Sequence, residues 1–330
     1  MRYFQHNSFG VGTSVGPFED YGQMQIKVKF QGLEKIFLYP WAIEKGILQE
    51  INAPATISCA TATPPIYTDA LKNLLQKYVD DFISKKDLPF VVSPSIPVVW
   101  FGDIEKYQRS PKRILTIALN PSLKEFPQLP ALPRFKIVDF SGSDAIDALY
   151  TTLNRYFYDN PYNWFDKYNR LMSVLNCSYG GKYGDKSNTA IHIDIYTAIA
   201  TDPTFGPLTT SQKALIQNTS LFNELFDLLN PDVTLISVNQ VVFGQNFGDW
   251  DLTHTFPFPG GKIKGYTKQN NKLIFGTNCK GLPFGGIPES DAKNAIATIA
   301  GHHTQIDREE LLAKIAELKA ELAKLEDSES

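Results

Sequence analysis

Residues 114–119, ILTIAL, run straight into Asn120-Pro121-Ser122. One threonine interrupts an otherwise apolar run that is too short for a helix, so the segment reads as a strand covered on both faces. The proline then turns the chain out of the strand, because the residue before it is biased away from helix. Three further runs share this character: AIHIDI (190–195), VTLISV (233–238) and KLIFG (272–276). Helical periodicity fills the intervals at 143–157, 162–176 and 209–229, the last closed by Asn230-Pro231, and returns at 288–301. Strands alternating with helical crossovers predict an α/β fold: a three-layer α/β/α sandwich around a central, mostly parallel four-stranded sheet. Ligands of such sheets bind at the carboxyl ends of the strands.

Outward from this core, residues 1–97 read as an accessory region. QMQIKVKF (23–30) alternates with period two, and KIFLYP (35–40) and ATISCATAT (55–63) are further strand candidates. Leu71, Leu74, Leu75, Tyr78, Val79, Phe82 and Ile83 then share one face of a helix capped by Thr68 or Asp69. The stretch LPFVVSPSIPVV (88–99) reads as a semi-extended linker into the α/β domain, residues 98–303. In the tail, 304–330, Leu311, Ile315, Leu318, Leu322 and Leu325 recur at alternating spacings of four and three, a heptad seam. A terminal helix packed on its own domain and a coiled-coil homodimer both fit this seam, and three heptads are marginal alone.

Composition narrows the chemistry. The formal charge of −3 over 330 residues gives no global basic field, so any nucleic-acid surface must be local. Cys59, Cys177 and Cys279 are odd in number and lack C-x-x-C spacing, which argues against a disulfide framework and against a thiolate metal site. No secretory signal opens the chain and no run has membrane-spanning length, so a soluble protein of the cytoplasm, with no membrane partner, is expected. No glycine-rich phosphate loop follows a strand, which argues against an unrelated nucleotide-binding protein.

Two loops carry the motifs. IALNPSLKEF (117–126) places Asn120 at the end of the first core strand, where an exposed amide can position a water or a sugar. Taken alone, Asn-Pro is a common turn signal. GTNCKGLPFGG (276–286) follows the last core strand and sets Leu282 on a tight loop bordered by glycine and proline. An apolar side chain there suits a wedge entering a base stack, although a buried loop is equally compatible.

Together the two motifs resemble those of the uracil-DNA glycosylase superfamily, especially its mismatch-specific branch. A-L-N-P-S matches G-I-N-P-G at Asn120 and Pro121, and N-C-K-G-L matches N-P-S-G-L at Asn278, Gly281 and Leu282. The resemblance spans roughly residues 98–303. Alanine and serine replace the flanking glycines, and Cys279-Lys280 replaces Pro-Ser, which bears on substrate more than on fold.

The resemblance implies a monofunctional DNA glycosylase that flips a base from DNA and hydrolyses its N-glycosidic bond, leaving an abasic site. Asn120 would hold the attacking water, Asn278 would steady the departing base, and Leu282 would fill the gap in the duplex. No metal or other cofactor is required, because fixed dipoles and one oriented water can stabilise an oxocarbenium-like sugar. Asp194 falls where the superfamily often reads the base. A carboxylate there accepts from the N4 amino group of cytosine, and its acid form would donate to N3. Capping of the following turn, or pairing within the protein, is the competing role. His192, two residues earlier, points to the same face, either toward the base or as a satisfied core histidine. The aromatic that stacks on the flipped base follows the first motif by more than ten residues in the superfamily, which favours Phe135 over Phe126; either also fits a core. Trp164, Tyr168 and the neighbouring aromatics fall at helical spacing and read as core.

Local charge supplies the phosphate contacts. Lys262, Lys264, Lys268, Lys272 and Lys280 lie between 260 and 282 with no acidic residue among them, and Ser122 joins them as a phosphate ligand. Arg109, Lys112 and Arg113 form a second basic group. An aspartate at the reading position and an added β-rich region point to a modified cytosine. Some glycosylases that this chain resembles act in phage defence on glucosylated hydroxymethylcytosine. Repair of uracil or mismatched thymine, and a catalytically idle DNA-binding member of the fold, are the alternatives.

Overall fold

The computed structural model describes residues 2–6, 10–14, 17–20, 23–30, 33–38, 41–45, 48–51, 67–127, 134–276 and 282–301. The chain divides into two compact units, Met1–Pro65 and Ile66–Ser330. Asn278, Lys280, His302, His303 and the heptad tail lie outside the described residues, as does the strand candidate 55–63.

The first unit is an antiparallel sheet. Its elements are β1 (Arg2–His6), β2 (Gly10–Ser14), β3 (Pro17–Asp20), β4 (Gln23–Phe30), β5 (Leu33–Leu38), α1 (Trp41–Glu44) and β6 (Gln49–Ile51). The spatial order is β3-β4-β2-β1-β6, with β5 also on β4. The period-two pattern of β4 does what alternation requires: Ile26 and Val28 are buried with Ala42 and Leu48, while Lys27 between them faces out.

The second unit opens with α2 (Asp69–Lys85) and α3 (Ile104–Arg109) and continues with β7 (Ile114–Ala118), α4 (Ala145–Asn154) and α5 (Phe165–Met172). Then come β8 (Cys177–Ser178), β9 (Asn188–Asp194), α6 (Thr210–Ile216), α7 (Thr219–Leu229), β10 (Val233–Ile236) and α8 (Gln240–Phe247). The chain ends its described part with β11 (Asp251–Phe258), β12 (Gly261–Lys268), β13 (Asn271–Gly276) and α9 (Glu289–Ala300). The sheet runs β11-β12-β13-β10-β7-β9-β8. From β13 to β8 neighbours are parallel, whereas β11 and β12 add an antiparallel hairpin at one edge. The sheet is thus mostly parallel, but with seven strands where sequence periodicity indicated four. The missed hairpin is an edge: β11 is largely exposed and carries Pro257, so it lacks the apolar run that marks a buried strand.

Helices flank this sheet. Gly265 of β12 leaves room for Ile299 of α9, whose side chain a Cβ would meet at 2.6 Å. Next to it, Tyr266 packs under Phe243 of α8, as does Phe275 of β13, with ring centroids 4.7 and 4.5 Å apart. Successive strand residues face opposite ways, so α9 and α8 cover opposite faces.

Three expectations change. The helix expected at 209–229 is two: Gln217 is extended, and the Asn218 side chain caps α7 by accepting from the Leu221 N–H. The amphipathic helix α2, capped by Thr68, buries Leu71, Leu74, Leu75, Tyr78, Val79 and Phe82 in the core of the second unit, leaving Ile83 exposed. The proline-rich stretch is no free linker. Ile96, Val98, Val99, Trp100 and Phe101 are buried, and the Val92, Val98 and Phe101 amides donate to the carbonyls of Ala200, Ala198 and His192. Proline keeps the segment extended, and its non-proline amides bind the chain that continues from β9. Among the described residues no helix is long and apolar enough to cross a membrane.

Candidate active site

β7 and β9 keep company beyond their ends. The Ile195 and Tyr196 amides donate to the Ala118 and Leu119 carbonyls at 3.0 and 3.1 Å, which delivers Asn120 and Asp194 to the same rim of the sheet. Asn120 is held from three sides. Its Nδ2 donates to the Pro121 carbonyl and to Thr201 Oγ1 at 2.9 Å, and its Oδ1 accepts from the Phe205 amide at 3.3 Å. Both donor hydrogens are spent, and one lone pair on Oδ1 remains for an incoming water or hydroxyl.

In the parallel register Thr116 faces His192 and Ala118 faces Asp194. His192 is buried, with Nδ1 2.8 Å from Thr116 Oγ1, itself 2.7 Å from the Tyr179 hydroxyl. Its Nε2 stands 3.5 Å from Asp194 Oδ1. That carboxylate oxygen is buried and has no hydrogen-bond partner among the described residues. Of the two competing roles for Asp194, no described hydrogen bond caps a turn with its carboxylate, and the internal partner within reach is His192. A buried acceptor left open costs about 1–3 kcal/mol, a cost that a ligand donor would remove.

A cavity of about 510 Å³ gathers these groups, with Asn120, Glu125, His192, Asp194 and Leu282 in its lining. This volume is ample for a nucleobase. Glu125 drew no attention in the sequence; it ends a short turn of 3₁₀ helix, residues 123–125, five positions after Asn120. It is buried, and the Tyr156 hydroxyl donates to its Oε2 at 2.5 Å. Burial pushes this carboxyl up to about 7 against the pull of Tyr156, Arg134 and Lys124, and the Asp194 charge adds to the rise. The hint in sequence is an acid two residues from Leu123 and next to Phe126 in the proline-closed stretch LKEFP.

The aromatic assignments change. Phe135 is buried between Phe126 and Tyr156, with ring centroids 5.7 and 4.7 Å away, and neither Phe126 nor Phe135 reaches the cavity. They are core. The rings that do line it include Tyr162, Trp164 and Phe205. Trp164, read as core from its spacing, stands at the start of α5, half-buried and edge-on to His192 at 5.5 Å. Tyr168 is core as expected, its hydroxyl donating to the Ile117 carbonyl.

Leu282 is 51% exposed at the cavity rim. What holds it there is Phe284, two residues on, in left-handed backbone at φ 52° and fully buried, its amide donating to Ser237 Oγ at 3.1 Å. The Phe284 ring lies where a Cβ on Gly276 would be, so only glycine fits at the end of β13. Gly286 lies against Gly260 at the tip of the β11–β12 hairpin, backbone to backbone. An anchored loop thus presents an exposed leucine, its carbonyl held by the Gly285 amide at 3.1 Å.

The basic residues separate. Ser122 lines the cavity, and its Oγ accepts from the Lys124 amide at 3.3 Å. Lys124, also at the cavity, donates to the Tyr162 hydroxyl at 2.9 Å, and Arg134 holds the Lys124 carbonyl. Lys262 and Lys264 sit toward the hairpin tip, Lys264 opposite Phe275 near the carboxyl end of β13. Lys268 does not join them: it lies opposite Asn271, at the other end of β13, and is paired with Asp249 at 2.5 Å. Six strand residues, about 20 Å, part it from Lys262. Arg109 and Arg113 precede β7, at the far end of the sheet from the cavity, and are paired with Glu105 and Asp232.

No family model, curated protein or solved structure matches the chain.

Proposed function

We propose that the protein is a DNA glycosylase that draws an extrahelical base into the cavity and hydrolyses its N-glycosidic bond. One observation carries the reading: Asn120, the unsatisfied Asp194 carboxylate and the exposed Leu282, from three separate chain segments, border a single cavity of about 510 Å³. The motif resemblance around Asn120 and Leu282 supports it. In this reading the Asn120 carbonyl orients water toward C1′ of the flipped sugar. The base enters edge-first, giving the Asp194 oxygen the donor it lacks, and Leu282 occupies the vacated stack. Trp164 and Tyr162 replace Phe135 as the aromatic surfaces for the base. Lys124, Lys262 and Lys264 lie where phosphates would approach.

An acceptor at the reading position favours a base with an exocyclic amino group, and the substrate we propose among these is a cytosine modified at C5. Duplexes containing uracil, a thymine mismatch, hydroxymethylcytosine or glucosylated hydroxymethylcytosine, treated with alkali after incubation, report which base is lost. Loss from the modified cytosines, abolished by Asn120→Ala, is the expected result. Loss from uracil alone would replace the substrate, and salt-sensitive binding without any abasic product would leave a DNA-binding protein of this fold.

A further inference from the structure

We propose that Glu125 is the general base of this cavity, taking a proton from the water that attacks C1′. The assignment rests on the glycosylase reading for its reaction and on the geometry of the Asn120 loop for its residue. Asn120 cannot accept the proton itself. Its amide is neutral, both of its donor hydrogens are engaged, and Oδ1 already takes the Phe205 amide, so it orients water without deprotonating it. His192 is committed through Nδ1 to Thr116 and faces Asp194 through Nε2. Glu125 is on the same loop as Asn120, lines the same cavity, and has one oxygen fixed by Tyr156. No hydrogen bond described in the structure engages its other oxygen.

The step balances without a further reactant. The water oxygen bonds to C1′ as the C1′–N bond breaks, and the bond's electron pair leaves with the base. The water proton passes to the Glu125 carboxylate and from there, through solvent, to the departed base. A base that must be ionised to act, in a site where its ordinary acidity is weakened to about 7, titrates where proton transfer at neutral pH is most effective. The charged and titratable groups around it are Tyr156, Arg134, Lys124 and Asp194.

The test is single-turnover excision against pH, on whichever duplex loses its base, with DNA affinity measured alongside. Excision by the unaltered protein should rise with pH and level off above about 7. Glu125→Gln, which keeps the volume and an acceptor for Tyr156, should lower the single-turnover rate about 100-fold or more, abolish the rising limb and leave DNA affinity unchanged. Tyr156→Phe removes a bond that favours the ionised form, so the limb should move to higher pH. An unchanged limb in Glu125→Gln, or a loss wholly in affinity, overturns the Glu125 assignment while leaving the glycosylase reading intact. Absence of excision from every duplex overturns both.

Discussion

At the scale of single residues the cavity is defined by groups that are either over-held or left open. Asn120 is tied down by three hydrogen bonds, so Asn120→Ala should remove the water-orienting oxygen and cost about 100-fold or more in excision rate. Circular dichroism checks that the fold survives. Asp194 is the opposite case, a buried acceptor without a donor. Asp194→Asn presents a donor as well as an acceptor, so preference among the four duplexes should move from cytosine-type bases toward uracil; the ratio of excision rates measures it. Glu125 also has a signature in stability. Its folded carboxyl, near 7, lies above the value of about 4.3 expected unfolded, so the folded state binds the extra proton between those limits. Its contribution is therefore present in acid and lost as pH rises through about 7. Glu125→Gln should leave the unfolding free energy at pH 4 nearly unchanged but raise it at pH 8 by about 3 kcal/mol relative to the unaltered protein, as urea titration would show.

At the scale of elements the loop after β13 separates anchoring from exposure within three residues. Phe284 is fully buried and Leu282 half-exposed. Leu282→Ala should change stability by no more than about 0.5 kcal/mol. It should slow excision from a fully paired duplex while sparing a single strand, where no stack closes behind the base; comparing the two rates checks it. Gly276→Ala should behave in reverse. A methyl group there meets the Phe284 ring at 2.2 Å, so overpacking should cost about 1–3 kcal/mol in urea unfolding and loosen the loop for every substrate.

At the scale of the whole molecule the second unit begins where α2 requires. Six buried side chains of α2, at about 1.5–3 kcal/mol each, contribute as much as the net stability of a whole domain. A fragment comprising 66–330 should therefore unfold cooperatively, whereas one beginning at 98 should not fold; thermal melts of the two distinguish them.

Much of this was legible in the chain. Buried parallel strands need largely apolar runs, so β7, β9, β10 and β13 announced themselves, and Asp194 at the end of β9 with the loops after β7 and β13, which carry Asn120 and Leu282, fell where strand endings alone indicate. An edge strand has no such requirement, and β11 stayed silent for that reason; β12 beside it is broken up by Lys262, Lys264, Gly265 and Lys268 and lacks the run as well. What only the tertiary structure decided was which side chains share a space. Phe135 and Trp164 are both large aromatics in apolar surroundings, and nothing local to either says that one is walled in by Phe126 and Tyr156 while the other borders the cavity. Lys268 differs from Lys264 only by four residues of strand, yet that length carries it to the opposite end of the sheet. Glu125 acquired its character from burial and from Tyr156, thirty-one residues away. Periodicity records how a segment meets a core; proximity between distant segments, and the acidity it produces, arises only when the chain has closed around them.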